Sequence, residues 1–134
     1  MPQRVGPTVS GPPKPPRGEG GRSGATRNRR ERAALVGLIA GRARRLDAER
    51  SLDELAGLAD AAGAQVVLRM LQERPKPDSS TFLGAGKIET LGQSCAETGA
   101  DVVIFDNELT PAQLRHIEEA VGRKILDRMI RVAE

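Results

Sequence analysis

From Ala34 onward the chain alternates short apolar runs with stretches whose apolar residues recur at helical spacing. Ala34–Ala40 (ALVGLIA) reads as a buried strand, followed by a polar, basic loop from Gly41 to Arg50. Ser51 and Glu54 have the spacing of a capping box, opening a helix with Leu52, Leu55, Ala59 and Ala62 on one face. Gly63 suits the left-handed position that ends a helix, and Ala64–Leu71 (AQVVLRML) gives a second strand. A polar connection, Gln72–Gly86, is interrupted by Pro75 and Pro77. The spacing of Ile88, Leu91 and Cys95 then predicts a helix over 87–98, closed by Gly99.

Val102–Phe105 is a short β-branched and aromatic run, the signature of a strand covered on both faces. It stops at Asp106-Asn107-Glu108, a turn whose side chains can hydrogen-bond their own backbone. Thr110, Pro111 and Gln113 then have the order of N-cap, first helical residue and capping-box partner. Leu114, Ile117 and Val121 form that helix's stripe, Gly122 ends it, and Arg123–Asp127 offers a fourth strand. Helix, glycine and apolar strand thus recur three times, which calls for a parallel sheet with right-handed crossovers. The expected fold is α/β: a small, open, mostly parallel four-stranded sheet with helices on its faces, spanning residues 31–128. Residues 129–134 (MIRVAE) are too short and polar to assign.

Composition changes the picture mainly at the N-terminus. Residues 1–24 contain six Pro and six Gly, so residues 1–30 are expected to be a disordered extension. Its neighbouring Arg22, Arg27, Arg29, Arg30 and Arg32 could meet RNA phosphates, or the segment could be a solubilising leader. The formal charge of +3 hides an asymmetry: residues 1–34 carry net +6 and residues 35–134 net −3. Phe82 and Phe105 are the only aromatics, which weighs against a base-stacking platform. A single cysteine, Cys95, excludes an internal disulfide and reads as a small buried hydrophobe. No apolar run approaches the roughly 20 residues of a membrane span, and no secretory signal is evident. No membrane association and a cytoplasmic location are the expectations.

Gly84-Ala85-Gly86-Lys87 invites comparison with a phosphate-binding loop. A P-loop needs a glycine where Thr81 stands and a Ser or Thr where Ile88 stands, and a dinucleotide fingerprint needs a third glycine. What remains is a small-residue turn at a helix start, able to favour an anion. The plainer reading is a turn that needs glycine for its dihedrals, with Lys87 solvated. In a parallel sheet the loops following strands share one edge. Arg42, Arg44 and Arg45, the Gly84–Lys87 turn, Asp106, Asn107 and Glu108, and Arg128 would all converge there. A phosphate-bearing partner could meet the cations, or the carboxylates could simply pair with the arginines. His116 has no second ligand at metal spacing, and Asp106 with Glu108 reads as capping rather than metal binding. No catalytic residue and no metal site are expected.

These motifs give the chain a family resemblance. ERAALVGL (31–38), SLDELAGLADAAGAQVV (51–67), FLGAGKIE (82–89), DVVIFDNELTPAQLR (101–115) and ILDR (125–128) occur in the order seen in the HflX family. The chain therefore resembles the N-terminal domain of these ribosome-associated translational GTPases. The resemblance implies an α/β domain that docks on the large ribosomal subunit and its rRNA, in proteins that split or rescue ribosomes. It carries Gly84, Gly86 and Lys87 over from one block, and Asp106, Glu108, Pro111, Gln113 and Arg115 from another. In the family a helical arm and a GTP-hydrolysing domain follow, so GTP and magnesium would belong there and no cofactor is expected in this chain. Beyond Arg128 the sequence departs from the family pattern. That predicts a shortened, non-enzymatic member, with a separately encoded GTP-hydrolysing domain as a candidate partner. The alternatives are a nucleotide-binding or nucleotide-hydrolysing domain using Gly84–Lys87, and an inactive gene fragment.

Overall fold

In the computed structural model, which describes residues 30–128, the first apolar run is the spine of the sheet. Strand β1 covers Arg32–Ala40 and is almost wholly buried, as expected of a strand with neighbours on both sides and helices on both faces. Helix α1 (Arg45–Ala61), strand β2 (Gln65–Arg74), helix α2 (Ala85–Thr98), strand β3 (Val102–Phe105), helix α3 (Pro111–Val121) and strand β4 (Lys124–Asp127) follow. The sheet order is β2-β1-β3-β4, and every pairing is parallel, so the expected "mostly parallel" sheet is wholly parallel among the described residues. The expected tail over residues 1–29 and the end over 129–134 lie outside the described residues.

Side-chain alternation along β1 divides the core in two. Ala33 and Leu35 face α1, where Leu52, Leu55, Ala56 and Ala59 pack on them together with Val102 and Ile104. Ala34, Val36 and Leu38 face α2 and α3, whose Ile88, Leu91, Cys95, Ile117 and Val121 close over Val103, Phe105 and Ile125. Gly99 and Gly122 each take φ of +72° and end α2 and α3, as their positions predict.

Register decides the shape of the carboxyl edge. β3 pairs with β1 only as far as Val36, opposite Phe105, whereas β2 follows β1 to Ala40, opposite Arg74. Gly37–Ala40 and Leu71–Arg74 therefore project four residues beyond β3, about 13 Å at a strand's rise of about 3.3 Å per residue. This differs from the strand expected from the sequence, which ends at Leu71. Gln72, Glu73 and Arg74 continue an edge strand whose outer side meets solvent, so polarity does not stop it.

Helix starts also differ. α1 begins at Arg45, inside the expected loop, with Arg44 as an N-cap that makes no side-chain cap bond. Apart from Asp47, which favours the first turn, the segment RLDAER is made of strong helix formers and carries an Arg45–Glu49 pair one turn apart, yet leaves Leu46 exposed. It has propensity without an apolar stripe. Ser51 and Glu54 thus sit inside the helix, not at a capping box, and Ala62, placed on the apolar face by spacing, is exposed. α2 begins at Ala85, so Gly86 and Lys87 are helical.

Candidate functional site

The topology produces a switch point between β1 and β3. The chain leaving β1 turns to α1 on one face, and the chain leaving β3 turns to α3 on the other. In open parallel sheets, ligand crevices form outside such neighbouring carboxyl ends. A cleft of about 250 Å³ lies there, with Leu38, Arg44, Asp47, Ser51, Asp106 and Asn107 in its walls.

Its acidic turn is held by distant elements rather than by its own backbone, contrary to the local reading. The Asp106 N–H donates to the Val36 carbonyl at 2.7 Å, the last rung of the β3 ladder. Beyond that rung the Asn107 Oδ1 accepts the Leu38 N–H at 3.2 Å, supplying the acceptor that β3 no longer provides. The Asp106 side chain is only 7% exposed, and its Oδ1 accepts from the Arg128 Nε at 2.7 Å. Arg128 Nη2 also donates to the Ser51 carbonyl and Oγ, both at 3.2 Å, and Nη1 lies 3.4 Å from the exposed Glu54. One guanidinium thus joins the end of β4, the β3 turn and α1. Asp127, itself buried, accepts the Leu109 N–H at 2.9 Å. Glu108 is exposed.

The glycine turn lies at the same sheet edge but on the opposite face, because α2 packs with α3 and away from α1. The expected convergence of Gly84–Lys87 with the Arg42–Arg45 loop and the acidic turn is therefore corrected: one edge, two faces. The reading that the turn needs glycine for its dihedrals does not hold. Gly84 has an ordinary φ of −66°, so glycine is not required for dihedrals. A Cβ at Gly84 would come within 2.6 Å of the Arg74 Nη1, which lies across it, and its N–H already donates to the Gln72 Oε1 at 3.0 Å. Gly86 has nothing within 4 Å of a built Cβ. Gly86→Ala is therefore expected to raise stability by about 0.5 kcal/mol, the low end of a helical Gly-to-Ala change because the site is in the first turn. A urea titration reads this as a higher midpoint; a lower midpoint would mean the position needs glycine.

Behind that turn the 75–84 segment is organised by Asp78, which no sequence motif singles out. Its carboxylate accepts the Ser80 N–H at 2.8 Å and the Thr81 N–H at 3.0 Å. The hydrogen bond from Thr81 and then that from Ser80 hold its carboxyl below the usual carboxylate range. Gln113, expected only as a capping-box partner, does both jobs: its Oε1 accepts the Thr110 N–H while its Nε2 donates to the Asp78 carbonyl at 2.8 Å. It is buried, whereas Leu114 of the expected stripe is half-buried. Phe82 bridges back to Asp78 with a left-handed φ of +67° and stacks edge-on against Phe105 at 5.8 Å. His116 Nδ1 lies 3.0 Å from the Ser80 Oγ. Burial pushes the Cys95 thiol up, in keeping with a packing role. Among the described residues no group of three His, Cys, Asp or Glu side chains could hold a metal, and no helix is long and apolar enough to cross a membrane.

A family model described as GTP-binding GTPase N-terminal matches residues 49–131. The chain belongs to that family. Among relatives, a GTPase HflX of Flavobacterium psychrophilum is 39% identical over 98 residues, covering 73% of this chain and 24% of that protein. A GTPase HflX of Lacrimispora saccharolytica is 42% identical over 98 residues, 73% of this chain and 23% of that protein. The GTPase HflX of Escherichia coli is 34% identical over 77 residues, 58% of this chain and 18% of its own length. The chain thus spans about a quarter or less of these curated relatives. A GTP-binding protein from Sulfolobus solfataricus, solved with GDP, shares the fold at a TM-score of 0.55 and 16% identity, over 76% of this chain and 29% of that one. As an HflX-type N-terminal domain, the chain holds the glycine turn, the acidic turn, Arg115 and Arg128 inside the family-matched stretch. Arg42, Arg44 and Arg45 precede it.

Proposed function

We propose that this chain is the ribosome-docking N-terminal domain of an HflX-type translational GTPase, seated on the large ribosomal subunit largely through rRNA. Membership of the GTPase N-terminal family, over residues 49–131, is the observation that carries this reading. The surface supports it: Arg42, Arg44 and Arg115 are exposed and Lys87 half-exposed, and none has an ion-pair partner among the described residues.

The described residues give more support to docking than to a nucleotide site at the glycine turn. The Gly84 N–H is already engaged by Gln72, and among the described residues no group of three His, Cys, Asp or Glu side chains could hold a metal ion. In this reading phosphoryl transfer belongs to a GTP-hydrolysing domain outside residues 30–128, in the same polypeptide or a separate one. The full chain should co-sediment with purified large subunits, and less of it as salt rises, since phosphate contacts release counterions. Folded protein that stays in the supernatant at low salt would overturn the reading.

A further inference from the structure

The projecting end of β1 and β2 differs from the rest of the surface in charge. Residues 42–45 and 74–76 hold Arg42, Arg44, Arg45, Arg74 and Lys76, five of the thirteen Lys and Arg between 31 and 128, where sixteen Asp and Glu make the whole net acidic. Two loops meet at this tip, joined where the Gly41 N–H donates to the Arg74 carbonyl at 3.0 Å. Between them opens a notch of about 460 Å³ lined by Ile39, Gly41, Ala43, Glu73, Arg74 and Pro75.

Four of the eight cations elsewhere between 31 and 128 have internal partners. Arg32 donates to the Thr98 carbonyl at 2.8 and 3.1 Å and Arg123 to the Ala100 carbonyl at 2.7 Å, both near helix C-termini. Arg69 pairs with Asp53, and Arg128 with Asp106. At the tip, Arg45 takes up Glu73 at 2.9 Å and Glu49 at 3.8 Å, and the Arg74 Nε donates to the Lys76 carbonyl at 3.2 Å. The Asp78 carboxylate is bonded to Ser80 and Thr81, leaving Asp47 as the other acid close by. The side chains of Arg42, Arg44 and Lys76 make no hydrogen bond or ion pair among the described residues. Both phenylalanines are buried, so the surface offers no Phe, Tyr or Trp ring on which a base could stack. Uncommitted cations on a protrusion, without aromatic rings, suit the phosphate ridge of folded RNA and not its base edges.

We propose that this tip, through Arg42, Arg44 and Lys76, is where the domain grips RNA phosphates, independently of base sequence; the proposal rests on the ribosome-docking reading. The test compares the full chain with an Arg42→Glu/Arg44→Glu variant, a Lys76→Glu variant and a Lys124→Glu control at the exposed amino end of β4, the opposite edge of the sheet. Binding is measured to purified large subunits and to a protein-free RNA duplex across a salt series. All four proteins share the N-terminal segment, so differences report on the tip. The arginines are exposed and Arg44 makes no cap bond, so folding should persist, as a melting curve checks. The double tip variant should lose at least tenfold in affinity for both targets, with a salt slope shallower by about 2, one for each phosphate no longer neutralised. Lys76→Glu should lose a smaller factor, and the control should stay within about threefold of the parent. Unchanged binding by the tip variants, with the parent bound, overturns the tip and leaves ribosome docking standing. Loss on subunits but not on the duplex overturns RNA as the partner in favour of a ribosomal protein. A parent that binds the duplex through the tip but ignores large subunits supports the tip and defeats the docking reading.

Discussion

Phe105→Ala is expected to destabilise the domain by about 3–5 kcal/mol, the cost of deleting a fully buried aromatic whose cavity cannot collapse. Phe105 is 0% exposed and lies in the larger core half, between β1 and the two helices α2 and α3. β3 has only four residues, so little else in the strand can close the gap. The loss would also remove the edge-on partner of Phe82, which keeps a left-handed backbone in place of the glycine usual there. Against a typical total of about 5–15 kcal/mol, such a change takes a large share of the stability. Urea denaturation should show a much lower midpoint at an unchanged slope. A cost below about 1 kcal/mol would mean that Phe105 is not the packed centre of that layer. Phe82→Gly should be milder than Phe82→Ala, because glycine relieves the backbone while both lose the ring.

What the sequence makes legible is local. Val102–Phe105 can be read residue for residue, and so can the Thr110–Gln113 box with Pro111, because each depends on neighbours within a few positions. The stripe Ile88, Leu91, Cys95 coincides with the buried residues of α2. The family, too, is legible in the FLGAGKIE and DVVIFDNELTPAQLR blocks, and the family match bears it out. The start of α1 is hidden because Arg45–Arg50 has helix propensity but no buried face until Leu52. The end of β2 is hidden because Gln72, Glu73 and Arg74 look like loop and become strand only through β1. Strand order is hidden as well. It decides that the glycine turn and the acidic turn occupy opposite faces, and no short window of sequence contains it. Gly84 shows the same limit: what lies against it is Arg74, ten residues earlier, folded across it.

The Arg128 network is the longest-range case, joining residues 77 positions apart, and it carries the second large effect. Arg128→Met should cost about 3 kcal/mol, the lower part of the range for breaking a buried pair, since the Arg128 side chain is 28% exposed and Asp106 7%. The methionine keeps the aliphatic stem but leaves the Asp106 carboxylate buried beside no cation, and strips Ser51 of its donors. Asp106→Asn alone should cost less, because a partly exposed guanidinium can turn to water and keep its bonds to Ser51. Combining the two should recover about 1–2 kcal/mol relative to the sum of the single changes, as removing the stranded charge requires. Urea midpoints of the four proteins close this cycle. Additive single effects would mean that Asp106 and Arg128 are neighbours without coupling. Coupling has a local signature as well: with Arg128 gone, the Leu38 N–H held by Asn107 should exchange with solvent faster, because the turn that presents its acceptor loses its anchor to α1 and β4.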